Sequence, residues 1–523
     1  ARVNIKDYAN KIIPGIFSYD IIYENNKILK PHEAINYEND IKQISLSGNT
    51  KTLTNYPDGY SITFPQNVEF DFSLDNIYTK AFYDNIKVTI SREYNPYPEE
   101  GHTKYINEYP NRYMTDPKYI KENRLDVHIN TIEQVGKYSV MLFAFTRQPY
   151  EGSEVTNNTY VFTYIYINET HFVRVLFNSD RYDEEFISGV REVLSSFNGD
   201  LKPTGEGMFH MDYMPKLPRS WSSETKEVYK KIESINKPIM GAYRPRAILY
   251  GKYSEIENLE NKLDYKFGVV MDYMSVLDSF PVEGMNTAYK NGKIVELTIH
   301  TGQNDDGTSA LNGYNPNFKI YDGLMDNHIR NLAKGAKEFG NPFLLRLNNE
   351  MNSDWTCYGG PATLNDPEIY KAIWRRMYTI FEEEKVGNAI WVFNPNDNNF
   401  PPCNYNHFLS YYPGNDYVQM LGITGYNTGD YYSDVFGEKW NSFVDIYDSI
   451  DNHYSPYFSR FPWIITEFST SSYGGDKPGW IRDALNHFTD YENIKLAVWF
   501  SNGDLDFREG KRHIVARPYD LDE

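Results

Sequence analysis

The part of the sequence that most restricts the fold is an alternation, from Pro238 onward, of strand-length apolar runs with helical segments. Near-continuous apolar strands are typical of a parallel sheet that helices cover on both faces. Eight such strands with helices between them predict an α/β fold, a (β/α)8 TIM barrel over residues 238–523. An open doubly wound sheet would need a glycine-rich turn after its first strand, and Gly241-Ala-Tyr-Arg-Pro provides none. The predicted strands are 239–243, 267–273, 294–300, 343–349, 389–393, 420–426, 463–468 and 496–500.

Residues 1–200 have a different pattern. Short runs rich in Val, Ile, Phe and Tyr at 138–145, 159–167 and 172–177 predict an antiparallel sheet. Asp183-Glu184-Glu185 then opens a helix with one apolar face. The sequence therefore predicts an N-terminal α+β domain, which loosely resembles the PsbP/Mog1-like fold and carries no catalytic constellation. Residues 201–237 are interpreted as a linker and lead-in helix.

Charge and hydropathy exclude several classes of partner. The chain carries 52 basic and 72 acidic residues, so its net charge is −20. An acidic surface repels phosphate backbones, which argues against a nucleic-acid partner. The longest wholly apolar stretch, around Val140 to Phe145, is far shorter than the roughly 20 residues of a membrane-spanning helix, so no membrane insertion is expected. We interpret the first residues as a mature start after signal-peptide removal, and expect a secreted or cell-surface bacterial protein.

Aromatic residues make up 16% of the chain, with 46 Tyr, 30 Phe and 8 Trp. One interpretation is carbohydrate binding, because sugar faces stack on aromatic rings. The other is a composition bias, since the chain is also rich in Asn, Ile and Lys. Composition leaves both interpretations open.

Polar residues at the ends of two apolar strands indicate where the chemistry lies. The fourth predicted strand ends in Arg346-Leu-Asn-Asn349-Glu350, and the seventh ends at Glu467. In a TIM barrel the active site is built at the carboxyl ends of the strands. Two carboxylates that face each other across a cleft are the machinery of glycoside hydrolysis.

Several segments resemble glycoside hydrolase family 26. Residues 342–355, read as Pro-Phe-Leu-Leu-Arg-Leu-Asn-Asn-Glu-Met-Asn-Ser-Asp-Trp, look like the acid/base motif of that family, whose members are clan A retaining enzymes best known as β-mannanases. Segments 323–330, 389–395, 411–427 and 465–469 are similar to its lead-in helix, fifth and sixth strands and nucleophile strand, in that order. The likeness covers most of residues 238–523 and none of the first 200.

The resemblance implies a role for each polar residue. Glu350 would be the general acid and then the base, and Glu467 the nucleophile of a two-glutamate double displacement. Arg346 would keep the nucleophile ionised, Tyr426 would orient it, and Asn349 would bind the sugar 2-hydroxyl. The family usually has His at the position of Asn349, whereas Asn-Glu is typical of clan A at large. The expected substrate is therefore a β-linked polysaccharide or oligosaccharide, first a mannan, then a β-glucan, a xylan or an exopolysaccharide.

Three further residues are candidates for the cleft. Trp499 would form the sugar-stacking floor, Trp355 would stand in the substrate cleft, and His300 ends the third strand and would line it. Each also has a structural interpretation, as a core ring, a loop anchor or a polar rim residue. Likewise, Glu350 could have no role beyond an ion pair with Arg346. Against this, residues four apart on an extended strand point to the same face, here into the barrel mouth, where a TIM barrel has its active site.

No cofactor or metal site is predicted, because no His/Cys spacing suits one. The turn at 304–307 only faintly resembles a calcium loop. Cys357 and Cys403 follow neighbouring strands, so a disulfide at the cleft rim is possible in an exported protein. Two other functions stay open: a non-catalytic glycan-binding surface protein that retains the barrel, or an N-terminal docking module that carries an accessory enzyme.

Overall fold

The computed structural model describes residues 23–24, 27–28, 42–74, 77–205, 213–302, 315–508, 510–511 and 513–521. The chain divides into two compact units. The N-terminal unit comprises Ala1–Phe209 and Pro401–Ser410, and the barrel unit comprises His210–Phe400 and Tyr411–Glu523. In the described ranges, no helix has both the length and the hydropathy needed to cross a membrane.

The N-terminal unit is built on antiparallel sheets. Its strands are β1 (Tyr23–Glu24), β2 (Lys27–Ile28), β3 (Lys42–Ser47), β4 (Thr50–Asn55), β5 (Tyr60–Pro65), β6 (Glu69–Asp71), β7 (Thr79–Tyr83), β8 (Ile86–Tyr94), β9 (Leu125–Val135), β10 (Tyr138–Arg147), β11 (Thr159–Tyr166) and β12 (His171–Ser179). Its helices are α1 (His102–Glu108), α2 (Pro117–Glu122) and α3 (Glu184–Ser195), with 3₁₀ turns at Pro98–Glu100 and Asn404–Asn406. Seven strands form one sheet in the order β6-β7-β8-β12-β11-β10-β9, and β3-β4-β5 form a second.

Helix α3 covers the sheets with its apolar face. Asp183 caps its first turn by accepting a hydrogen bond from the backbone N–H of Phe186 at 2.8 Å. The buried residues of the helix join the sheet side chains in one core, namely Phe186, Ile187, Val190, Val193 and Leu194. The prediction of an α+β domain with an antiparallel sheet is confirmed.

The segment Pro401–Ser410 belongs to the N-terminal unit although it lies in the sequence between two barrel strands. Glu93, which is 1% exposed, accepts hydrogen bonds from the backbone N–H groups of Asn404 at 2.6 Å and Tyr405 at 3.2 Å. The guanidinium of Arg174 lies 4.0 Å from the centre of the Tyr405 ring. The proposed division at residues 200 and 238 did not anticipate this segment.

The barrel is closed and parallel, as predicted. Its strands are β13 (Ile239–Tyr243), β14 (Val269–Ser275), β15 (Ile294–His300), β16 (Phe343–Leu347), β17 (Ala389–Phe393), β18 (Met420–Asn427), β19 (Trp463–Thr470) and β20 (Ile494–Phe500). Strand β20 pairs with β13 and closes the ring. A short antiparallel hairpin follows, formed by β21 (Gly503–Leu505) and β22 (Val515–Pro518).

Helices surround the barrel. They are α4 (Ser223–Glu233), α5 (Ser254–Leu263), α6 (Val282–Lys290), α7 (Asn317–Tyr321), α8 (Asp326–Phe339), α9 (Pro367–Glu383), α11 (Ser433–Phe436), α12 (Phe443–Phe458) and α13 (Lys477–His487), with 3₁₀ turns at Gly360–Thr363 and Phe488–Asp490. The short helix α10 (Phe408–Tyr411) begins in the segment Pro401–Ser410 of the N-terminal unit. Helix α4 lies in the range that was interpreted as a linker and lead-in helix. It belongs to the barrel unit, and its Tyr229 and Ile232 share a core with the barrel interior.

Alternation along the strands decides which side chains face the inside of the barrel. Leu344 of β16, Val392 of β17 and Ile464 of β19 belong to one buried cluster in the interior. One step nearer the carboxyl end of β16, the inward position holds the side chain of Arg346. Polar residues therefore replace apolar ones where the strands end, which places a site at that end of the barrel.

Candidate active site

Strand β16 ends at Leu347, and the segment after it turns sharply. Asn348 and Glu350 have φ of 51° and 55°, in the left-handed region that non-glycine residues seldom adopt. The backbone N–H of Glu350 donates to the Asn394 carbonyl at 2.8 Å, which ties the turn to the end of β17. The expectation that Arg346 and Glu350 share one face of an extended strand is therefore wrong, because the strand stops before Glu350.

Arg346 is fully buried inside the barrel, where its guanidinium contacts the four oxygen atoms given below. Its Nη1 lies 2.7 Å from Glu467 Oε1 and 2.8 Å from Asn394 Oδ1. Its Nε lies 2.8 Å from Glu296 Oε1 and 2.6 Å from Thr298 Oγ1. Arg346 therefore forms its ion pairs with Glu467 and Glu296. The alternative interpretation, an ion pair between Arg346 and Glu350, does not describe this arrangement.

Glu467, on β19, is held from several sides. The hydroxyl of Tyr426 donates to its Oε2 at 2.7 Å, and Nδ2 of Asn349 lies 3.5 Å from its Oε1. Burial would raise the pKa of Glu467, but the charge of Arg346 and hydrogen bonds from Tyr273, Tyr426 and Arg346 outweigh it and lower that pKa. Glu467 is therefore a carboxylate over the neutral pH range.

The pKa of Glu350 is shifted in the opposite direction. Burial, and then the negative charge of Glu467, raise the pKa of Glu350 above its ordinary value. Its Oε2 accepts a hydrogen bond at 3.2 Å from Nε1 of Trp355, whose ring is 44% exposed and lies 5.1 Å from that of Phe400. Two neighbouring carboxyl groups whose pKa values are driven apart are suited to act as proton donor and nucleophile.

Asn349 is fixed by two donors. His300 Nε2 donates to its Oδ1 at 2.8 Å and the hydroxyl of Tyr358 does so at 2.9 Å. With Oδ1 engaged, Nδ2 is the end of the amide directed at Glu467. Burial lowers the pKa of His300 to about 4, so the ring is neutral at pH 7 and donates from Nε2. His300 is half-buried, and its hydrogen bond to Asn349 links it to the site.

The prediction that Trp499 forms the floor of the cleft is wrong. Trp499 is 1% exposed, its ring packs 5.2 Å from that of Phe468 and 6.4 Å from that of Trp480 of α13, and its Nε1 donates to the Tyr519 carbonyl at 2.9 Å. It therefore faces the outer layer of helices. The next residue, Phe500, faces inward and lies 5.9 Å from Tyr426, because successive strand residues point to opposite faces.

A cavity of about 350 Å³ lies at the carboxyl ends of β13, β14 and β15. Its wall includes two residues that contact the site, Tyr273 and His300. Exposed Arg246 and Tyr250 complete its outer edge.

Sequence reasoning missed several residues of the site. They are Glu296, Thr298, Tyr273, Tyr358 and Asn394. One signal was available: Glu296 is a charged residue in the middle of the third predicted strand, between Val295 and Leu297.

Two observations on the described residues concern the cysteines and metal binding. Cys357 and Cys403 are free and buried. In the described ranges, no group of three or more His, Cys, Asp or Glu side chains is placed to hold a metal ion. The turn at 304–307 lies outside the described residues.

Comparison with known families decides the identity of the barrel. Residues 252–450 match the sequence model of glycosyl hydrolase family 26. The C-terminal domain is a family 26 glycoside hydrolase domain. The resemblance seen in the strand-end motifs is thereby confirmed, and the family 26 domain also has the barrel that was expected of it.

Characterised relatives resemble only part of this chain. Endoglucanase H of Acetivibrio thermocellus is 33% identical over 228 residues, which are 43% of this chain and 23% of the relative. The mannan endo-1,4-beta-mannosidase A and B of Caldalkalibacillus mannanilyticus is 32% identical over 104 residues, 18% of this chain and 19% of the relative. Each match thus spans less than a quarter of the relative's length. Among solved structures, Bacillus subtilis mannanase man26 is similar at 16% identity, with a TM-score of 0.40, over 55% of this chain and 89% of that one.

Proposed function

We propose that the family 26 domain is a retaining glycoside hydrolase that cleaves a β-linked polysaccharide. The observation that carries the proposal is a pair of carboxyl groups with opposite shifts: the pKa of half-buried Glu350 is raised and the pKa of buried Glu467 is lowered. Glycoside hydrolysis with retention needs one carboxylic acid and one carboxylate near the same bond.

The proposed reaction has two steps. In the first, Glu467 attacks the anomeric carbon while the glycosidic C–O bond breaks and the Glu350 proton passes to the leaving oxygen. In the second, the Glu350 carboxylate takes a proton from water, the water oxygen attacks the anomeric carbon, and the ester bond to Glu467 breaks. Tyr426 and Arg346 hold the nucleophile, and the Asn349 amide donates to the sugar 2-hydroxyl. Phe500, rather than Trp499, supplies the ring beside the scissile bond.

Mannan and β-glucan are the first substrates to test. The relatives above are named for an endoglucanase activity and for a mannan endo-1,4-beta-mannosidase activity. Xylan and exopolysaccharides follow. The domain would act on a polymer outside the cell, which is why we also propose a secreted or cell-surface location. The presence of Arg346, Tyr426 and both glutamates favours hydrolysis over glycan binding alone. A binding protein has no need of two carboxyl groups whose pKa values are shifted in opposite directions.

The decisive experiment is a screen of β-glycans with products identified by mass and by the configuration of the new anomeric centre. We expect the wild-type protein to release oligosaccharides with retained β configuration, and the Glu467→Ala and Glu350→Gln variants to lose turnover by at least about 10³-fold. Glu260→Gln is the matched control, because Glu260 is also buried but pairs with Lys293 and Lys266 away from the site. Unchanged turnover in Glu467→Ala would overturn the assignment, and tight binding without hydrolysis would favour a binding protein.

A further inference from the structure

Glu296 is a buried carboxyl group that the proposed reaction does not use. It lies in β15, is fully buried, and stands inside the barrel beside the catalytic pair. Its Oε1 contacts Arg346 Nε at 2.8 Å and lies 3.3 Å from Thr298 Oγ1. Among the described residues, its Oε2 has no hydrogen-bond partner.

A buried carboxyl group of this kind destabilises the folded protein, so its presence calls for a function. A buried polar atom without a partner costs free energy, and a buried carboxylate costs more. Arg346 already has an ionic partner in Glu467, at 2.7 Å, so neutralising the guanidinium does not by itself require a second carboxyl group. The two carboxyl groups reach different nitrogens of the same guanidinium, Nε and Nη1, so that either can serve as its counter-ion.

We propose that Glu296 is a positioning residue that keeps Arg346 paired while Glu467 is esterified. This inference rests on the proposed function. When Glu467 attacks the anomeric carbon its negative charge is consumed in the new C–O bond, and a negative charge appears on Glu350 as its proton passes to the oxygen of the leaving group. Arg346 would then be a fully buried cation without a counter-ion, an arrangement that is strongly unfavourable. An ionised Glu296 supplies that counter-ion without moving.

Because only ionised Glu296 can act as a counter-ion, we expect its effect on the reaction to depend on pH. Burial raises the pKa of Glu296 to about 7, with the charge of Glu467 acting in the same direction and that of Arg346 opposing it. The charged groups that face it are Arg346 from β16 and Glu467 from β19, and Thr298 faces it from its own strand. A protonated glutamic acid resembles glutamine, so replacing Glu296 by Gln should matter little where the group is protonated and most where it is ionised.

The test compares Glu296→Gln with the wild-type protein in formation of the covalent intermediate. The probes are the 2,4-dinitrophenyl 2-deoxy-2-fluoro β-glycosides of cellobiose and mannobiose, and the readout is the rate at which the intact protein gains the glycosyl mass. We expect the rate for Glu296→Gln to fall at least about tenfold at about pH 8 and to approach that of the wild type at about pH 5. Glu296→Asp keeps the charge and should recover part of the rate at the higher pH.

Glu260→Gln is the matched control, since it also removes a buried carboxylate from an ion pair, with Lys293, but outside the site. A purely structural role for Glu296 predicts that both variants lose thermal stability and show the same trapping rate relative to wild type at every pH. That result would overturn the inference while leaving the proposed function intact. A wild-type protein that reacts with neither probe and cleaves no β-glycan would overturn the proposed function instead. If Glu296→Gln does not fold, the trapping rate of Glu296→Asp decides, because a loss that is equal at both pH values contradicts the proposal.

Discussion

The hydroxyl of Tyr426 donates to Glu467 Oε2 at 2.7 Å, and this bond joins neighbouring strands of the barrel, β18 and β19. The other carboxylate oxygen is engaged by Arg346 at 2.7 Å. Each oxygen of the proposed nucleophile therefore has its own donor, and the carboxylate has one orientation before substrate arrives. Pre-organisation of this kind lowers the cost of reaching the transition state.

Tyr426→Phe should raise the pKa of Glu467, because the hydroxyl stabilises only the ionised form. A hydrogen bond to a charged group is worth about 1.5 kcal/mol, or about one pKa unit. The acid limb of the kcat/KM profile should therefore move to higher pH by about one unit. Tyr447→Phe is the control, since that hydroxyl donates to the Gly425 carbonyl at 3.2 Å. An acid limb that stays in place would contradict the assigned role of Tyr426.

Trp355→Phe should move the basic limb of the same profile. The indole N–H donates to Glu350 and lowers its pKa against the effects of burial and of Glu467. Without that donor the pKa of Glu350 rises, so the acid stays protonated to higher pH and the basic limb shifts upward. Trp480→Phe, which removes an indole donor to the Asn441 carbonyl, should leave both limbs unchanged. A downward shift in Trp355→Phe would show that Glu350 is not the acid.

Tyr358→Phe should weaken the contact between Asn349 and the sugar 2-hydroxyl, although Tyr358 itself is not expected to contact the sugar. One of the two donors that fix Asn349 Oδ1 is lost, so the amide can rotate away from the orientation that presents Nδ2. We expect kcat/KM to fall about tenfold on an aryl β-glycoside and much less on its 2-deoxy analogue. Tyr370→Phe, whose hydroxyl donates to the Leu347 carbonyl at 3.2 Å, is the control. Equal losses on both substrates would mean that Tyr358 acts only on folding.

Trp499→Ala and Phe500→Ala should have separable effects. Trp499 is 1% exposed and packs against the helix layer, so its loss should lower the free energy of unfolding by about 3–5 kcal/mol, measured by urea denaturation. Phe500 is half-buried and faces the cleft, so its loss should raise KM for oligosaccharides. If Trp499→Ala instead raised KM with little loss of stability, the outward orientation of Trp499 would be contradicted.

The sequence was sufficient to predict acidic side chains near the strand ends, but not to predict which aromatic side chains point into the barrel. Glu350 and Glu467 stand out because an acidic residue at the end of an apolar run is costly without a purpose. Trp499 and Phe500 are both plausible in a buried strand, and the sequence does not say which one points inward. A shift of one residue in a strand reverses its face, so this choice depends on the register that the whole barrel adopts.

The sequence by itself determined the barrel and the antiparallel N-terminal domain, and it singled out Glu350 and Glu467 as candidates, because periodicity and strand-end polarity are local properties of the chain. Only the tertiary structure decided that Arg346 is shared between Glu467 and Glu296 and that Asn349 is held by His300 and Tyr358. It also decided that Pro401–Ser410 belongs to the N-terminal unit. These relationships join residues distant in sequence, and no local pattern encodes them. The physical reason is that hydrogen-bond and ion-pair partners inside a barrel are selected by its closure.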